Sequence, residues 1–285
     1  MTDRANLKSV RLGSRSGSTT EVSLRVLGQW LVVALLAGFS IAARGQGGKE
    51  IVWQAVQTEL AASHNDHSLW LYYEVPSASI AQWVAETSNG NLRRVVRQNG
   101  RALSLLAQRR LMDRFIQDTQ AQARQRKSGQ HDDIQAAEML RLLPRAFVWT
   151  IKARNASDTM LHFYPAPNFQ PPDWETRVFA AMEGDMIVDN AQHRIVSLKG
   201  HLLHDVKFGF GLLGNLKAGG TFDVERREIG KSVWQITETH VHIKGHAILF
   251  KDISQNEDDV CSRFQPLPGG ISLQQAEIEL LKQPE

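Results

Sequence analysis

Apolar positions cluster in four strand-like runs between Glu183 and Ile253: Met186–Val188, Arg194–Phe210, Thr221–Ile229 and Val233–Lys251. Turn chemistry separates them, in Asp189-Asn190, a glycine-rich segment ending Gly219-Gly220, and Gly230-Lys231. Runs rich in β-branched and aromatic residues between such breaks predict an antiparallel meander. Two of the runs exceed the usual strand of about 5–6 residues, which predicts long, strongly curved strands. Strands of that kind build a half-barrel or an open cup.

Upstream, Ile51, Val52, Ala55, Val56, Glu59 and Leu60 recur at helical spacing within residues 50–63. Ser68–Val75 is apolar on both faces and reads as a strand buried on each side. The runs 80–86 and 91–98 flank Asn89-Gly90, a strong hairpin signal. Leu103–Lys127 has one apolar side and predicts a surface helix, interrupted at Ser128–Gln130. Asp132 and Gln135 resemble a capping box for a second helix, ended by Pro144. Strands resume at 147–152 and 160–164, and the proline-rich stretch 165–172 predicts an irregular crossing. Ser272 with Gln275 caps a last helix, Leu273–Lys282. The fold class predicted is α+β: a curved antiparallel β half-barrel with a helical lid.

The first 45 residues change that picture only by standing outside it. Basic residues precede an apolar core, Trp30–Ala42, and Ala43 and Gly45 suit a small-residue cleavage site. That is the pattern of an export signal, with an uncleaved N-terminal anchor as the rival; residues 46–285 then form a single domain in the periplasm or cell envelope. Of the 33 Lys/Arg and 30 Asp/Glu, the leader holds six and two, leaving 27 against 28. Such a balance removes the concentrated basic footprint that nucleic acid requires. Cys261 is the one cysteine, so no disulfide forms within the chain; it reads as a small apolar residue at a strand end.

Candidate chemistry is thin. Gly209-Phe210-Gly211-Leu212-Leu213-Gly214 matches G-x-G-x-x-G by letter, but no helix follows to face a pyrophosphate. It reads better as an apolar loop, either a core plug or a ligand lid. His240, His242 and His246 share one parity, with His201 and His204-Asp205 as further donors. Val241 and Ile243 take the opposite parity, which puts the histidines on the outer face, so no metal is assigned. Cross-strand pairing with Arg226 or Arg227 accounts for Glu225 and Glu238 better than an acid/base pair. The arginines of 109–126 read as a solvated face. No G-x-S-x-G elbow is present, and no catalytic constellation or cofactor site emerges.

Several segments carry a resemblance: LLPRAF (142–147), PAPNFQPP (165–172), MEGDMIVD (182–189), VKFGFGLLGNLKAGGTFDVERREI (206–229) and VWQITETHVHIKGHAILFK (233–251). With the order of elements, they resemble the periplasmic lipoprotein-carrier (LolA-type) superfamily of lipoprotein-sorting proteins. The resemblance implies a half-barrel whose apolar concavity takes acyl chains, without catalytic residues. The expected function is a non-catalytic carrier for lipid or an acylated protein that meets the membrane surface transiently. Strand parity adds the lining: Trp149, Phe163, Leu202, Phe208, Phe222, Val224 and Trp234, with Phe210, Leu212 and Leu213 on the lid loop. Such a lining gains about 0.8 kcal/mol per buried methylene. The competing expectation is a protein-interaction or sensor module on the same fold with a filled core.

Overall fold

A computed structural model describes residues 46–173, 175–208, 214–246 and 255–285. Its centre is one antiparallel sheet of eleven strands in the order β4-β3-β2-β1-β14-β12-β11-β8-β7-β6-β5. The chain enters through helix α1 (Gln46–Asn65) and then builds β1 (Leu69–Ser77), β2 (Ile80–Ala85), β3 (Leu92–Gln98) and the two-residue β4 (Arg101–Ala102). Helices α2 (Leu105–Gln117) and α3 (Thr119–Ala146) carry it to the other end of the sheet. There β5 (Phe147–Arg154), β6 (Asp158–Pro165), β7 (Met182–Asp189) and β8 (Ile195–Leu202) follow, with a 3-10 helix at Glu175–Ala181 between β6 and β7. Strands β11 (Thr221–Gly230) and β12 (Val233–Ile243) complete the meander. A small second sheet joins β9 (Val206–Phe208), β10 (Gly214–Leu216) and β13 (Gly245–His246). The long β14 (Gln255–Leu267) returns to pair with both β12 and β1, and α4 (Leu273–Leu281) closes the chain. The sheet is open, because its end strands β4 and β5 do not pair with each other.

The chain departs from its pattern in three places. The run 194–210 splits into β8 and β9, and residues 247–251 of the last predicted run lie outside the described residues, as does the leader. The helix break falls at Asp118, not at Ser128–Gln130: the Asp118 carboxylate accepts from Ala121 N, and Gln122 Nε2 donates to the carbonyls of Phe115 and Ile116. Satisfying both helix ends at one junction lets α3 run unbroken through Gly129 and past Pro144. The capping box expected at Asp132 is therefore not formed, whereas the one at Ser272 and Gln275 has both of its bonds. Lastly β14, acidic at its start and poor in apolar residues, occupies the middle of the sheet although its sequence carries no strand pattern.

Two apolar clusters result. One packs α1 and the end of α3 on the inner parity of β5–β8, β11 and β12, around Phe147, Trp149, Phe163, Phe179 and Phe222. Phe222 lies over Gly200, where a Cβ would stand 2.4 Å from the ring, so glycine is required there for close packing. The other cluster packs α2 and α4 on Leu71, Trp83, Leu92 and their neighbours in β1–β3.

Glu59 of α1 fastens the first cluster. Its carboxylate accepts from Arg194 Nε at 3.0 Å and Nη2 at 2.9 Å, from Ile195 N at 3.0 Å, and from Arg226 Nη1. Arg226 has the inner parity of Phe222 and Val224 and so turns to α1, leaving Arg227 as the partner of Glu238 and Glu225 on the outer face. Burial pushes the Glu59 carboxyl up, but the charges and hydrogen bonds of Arg226 and Arg194 outweigh it and hold the group below its ordinary value. A depressed carboxyl contributes stability that is present above pH 4.5 and lost as pH falls through its lower folded value. Glu59→Ala strands two buried guanidinium groups, so urea denaturation at pH 7 should report a loss of about 3–5 kcal/mol. That loss should shrink as the measurement moves below pH 4.

Candidate functional site

A cavity of about 330 Å³ lies at the centre of the sheet, under α3. Its floor is built from β1, β14 and β12, and its roof from Gly129, Asp132, Asp133 and Ala136 of α3. On β1 the even positions face it: Tyr72 and Glu74 line it, while Leu71 and Tyr73 face the α2/α4 cluster. A bulge in β14, with Arg263 at φ 58°, sets the opposite wall. It sends Arg263 over the Tyr73 and Trp83 rings on the far face and lays Phe264 on Tyr72, ring centroids 5.3 Å apart and 26° between planes. Bulges of this kind commonly re-aim side chains at sites.

The lining joins that aromatic pair and Ile236 to five carboxylates: Glu74, Glu86, Asp132, Asp133 and Asp259. Glu74 is 5% exposed; Gln82 Nε2 donates to it and Arg93 Nε lies 3.8 Å away. Glu86 accepts from Trp70 N at 2.9 Å. Burial pushes its carboxyl up to about 7; the Trp70 bond and Arg93 oppose the rise, and Asp66 adds to it. Burial likewise raises Asp132 to about 6, with His131 and a hydrogen bond from Ser128 opposing and Asp133 assisting, and its buried Oδ1 has no hydrogen-bond partner. Cys261 shares the cavity. Its thiol is pushed up by burial first and then by Asp259 and Glu74, so it stays protonated at neutral pH and is a poor nucleophile.

Among the described residues, the ligand atoms of Glu74, Asp259 and Cys261 lie within 4.8 Å of one another. Two carboxylates and a thiol suit a divalent ion with an open coordination position, but a thiolate ligand would first have to lose the proton that this setting holds on it. The outer-face histidines serve a different purpose. His240 Nδ1 is 2.8 Å and His242 Nε2 3.2 Å from Asp258 Oδ1, beside Glu238, in a half-exposed ion-pair ladder. Asp258 raises the His240 imidazole. His201 and His204 are exposed, and the His246 side chain lies outside the described residues.

The lining expected from parity is placed elsewhere. Trp149, Phe163, Leu202, Phe222 and Val224 are packed in the α1/α3 cluster, each at most 2% exposed. Trp234 is half-buried and donates from Nε1 to Gln192 Oε1 at 3.1 Å. None of these six lines the cavity under α3. The Phe208 side chain, Phe210, Leu212 and Leu213 lie outside the described residues. What the alternation did not bring forward were the acidic residues: Glu74 inside the apolar run SLWLYYEV, and Asp259 in a segment with no strand pattern. A carboxylate at a buried parity is the signal that would have found the first.

Because burial and two neighbouring carboxylates hold the Cys261 thiol protonated, iodoacetamide at pH 8 should alkylate it at least about tenfold more slowly than free cysteine. Glu74→Gln with Asp259→Asn should raise that rate, as read by intact mass. Comparison with protein-family models, curated proteins and solved structures gives no match.

Proposed function

We propose that this is a non-catalytic binding protein of the cell envelope, whose acceptor is the cavity beneath α3. Its ligand is the cationic end of an amphiphile, such as a lipid or lipidated molecule that carries a protonated amine. The observation that carries this reading is the composition of the cavity: an aromatic pair and Ile236 beside five carboxylates. An ammonium group gains both from opposite charge and from an aromatic face, while a fatty-acid carboxylate would be repelled.

Size narrows the carrier expectation. A cavity of about 150 Å³ takes benzene, so this one, at about 330 Å³, accommodates a body roughly twice as large. That admits a headgroup and the first methylenes of a chain, not a whole acyl tail. The open antiparallel sheet with a helix laid over its face agrees with the carrier resemblance and supports the reading at the level of architecture. Membrane contact would be transient, and no described helix is long and apolar enough to cross a bilayer. The solid packing of the α1/α3 cluster favours a second reading, a protein-interaction module with a filled core.

Calorimetric titration with dodecylammonium and dodecanoate, each below its micellar concentration, separates the two. The binding reading predicts that the amine binds at least about tenfold more tightly than the carboxylate. Glu74→Gln/Asp259→Asn should remove about another tenfold of amine affinity with the fold intact by circular dichroism. Equal affinity for both amphiphiles would contradict the charge assignment. No binding of either would leave the interaction module as the better account.

A further inference from the structure

Helix α3 is fixed at its ends and loose between them. At its start, Gln122 holds the carbonyls of Phe115 and Ile116, and Gln125 Oε1 accepts from Asn91 N at 2.6 Å. At its end, Leu143 and Ala146 are fully buried in the apolar cluster. Between Gln122 and Met139 no side chain of the helix is buried. Gly129 sits in that span, and a Cβ built there would meet nothing within 4 Å. The span therefore lacks the apolar contact that usually holds an amphipathic helix to its sheet.

What faces the sheet from this span is charge. Asp132 and Asp133 look across the cavity at Glu74, Glu86 and Asp259, carboxylates on both sides. The cationic groups that the described residues set against them are His131 on the helix and Arg93 on the sheet. Asp66 stands near Glu86, and Tyr72 and Cys261 add ionisable groups that stay neutral at physiological pH. Strand β12 contributes only the uncharged Gln235, Ile236 and Thr239. We propose that the middle of α3 is a charge-gated strap: it closes on the sheet when the facing carboxylates are neutralised and lifts when they ionise.

The direction of the titration follows from the geometry. Closing buries Glu86 and Asp132, and that burial raises them to about 7 and about 6. A carboxyl raised in the closed state favours that state below its ordinary value and loses the effect as pH rises through the raised one. Closure is thus strongest below the ordinary carboxyl range, weakens as pH rises from there, and is weakest above pH 7. A bound cation at neutral pH would act in the same sense, but the gate itself requires no ligand.

Hydrogen exchange of residues 127–136 tests this on the full chain without ligand, so the outcome is independent of whether an amine binds. Protection factors, corrected for intrinsic exchange, should be roughly tenfold higher at pH 5.5 than at pH 8. Asp132→Asn/Asp133→Asn should raise protection at pH 8 and shrink that ratio from the helix side. Glu86→Gln, which keeps an acceptor for Trp70 N, should shrink it from the sheet side. Equal protection at both pH values in the natural sequence would overturn the proposal, as would a ratio that persists when all three carboxyls are neutralised.

Discussion

An open sheet eleven strands wide has more inner face than its helices can seal, and the rest of the structure follows from how that shortage is shared. Helix α1 and the end of α3 cover one half with close-packed aromatic and aliphatic side chains. Helices α2 and α4 cover β1–β3, but from the opposite face, as the parity of Leu71 and Trp83 requires. The central strands β1, β14 and β12 are left with the polar middle of α3 above them. A cavity persists there because neither side supplies enough apolar volume to close it. Its walls instead carry carboxylates whose burial is only partly compensated.

The two halves handle buried charge in opposite ways. Glu59 is matched by two arginines and a backbone N–H, so burial there ties α1 to β8 and β11. A carboxylate in that setting is structural, and its depressed acidity is the mark of full satisfaction. In the cavity, Glu86 and Asp132 move the other way, and the Asp132 Oδ1 has no partner. Groups left in that condition inside a concave space are candidates for ligand contact. Full pairing of one buried acid and partial pairing of the others set the cavity apart from the close-packed core.

Much of the fold was legible in the alternation of the chain. The hairpin at Asn89-Gly90, the meander from β7 to β12, the capped last helix and the outward histidines of β12 all rest on local signals that tertiary packing did not override. Strand β14 was not legible, because a strand held between two neighbours can take its place from their pairing and not from its own residues. The break at Asp118 was missed for a related reason: it depends on Gln122 reaching back to the end of the preceding helix. The site was the least legible part. Parity marked Trp149, Phe163 and Phe222 as inward-facing, but inward residues fill a core as readily as they line a hollow. The hollow itself arises from a long-range meeting of β1, β14 and α3 that no local pattern encodes.

Everything above depends on α3 enclosing Glu86 in an acidic cavity. A carbon-13 NMR titration of the Glu86 carboxyl measures that enclosure directly. The expected midpoint lies near the value of about 7 that burial imposes. A midpoint near 4.5, the ordinary value for a glutamate, would mean that the carboxyl is open to solvent and that the cavity under α3 does not exist as described.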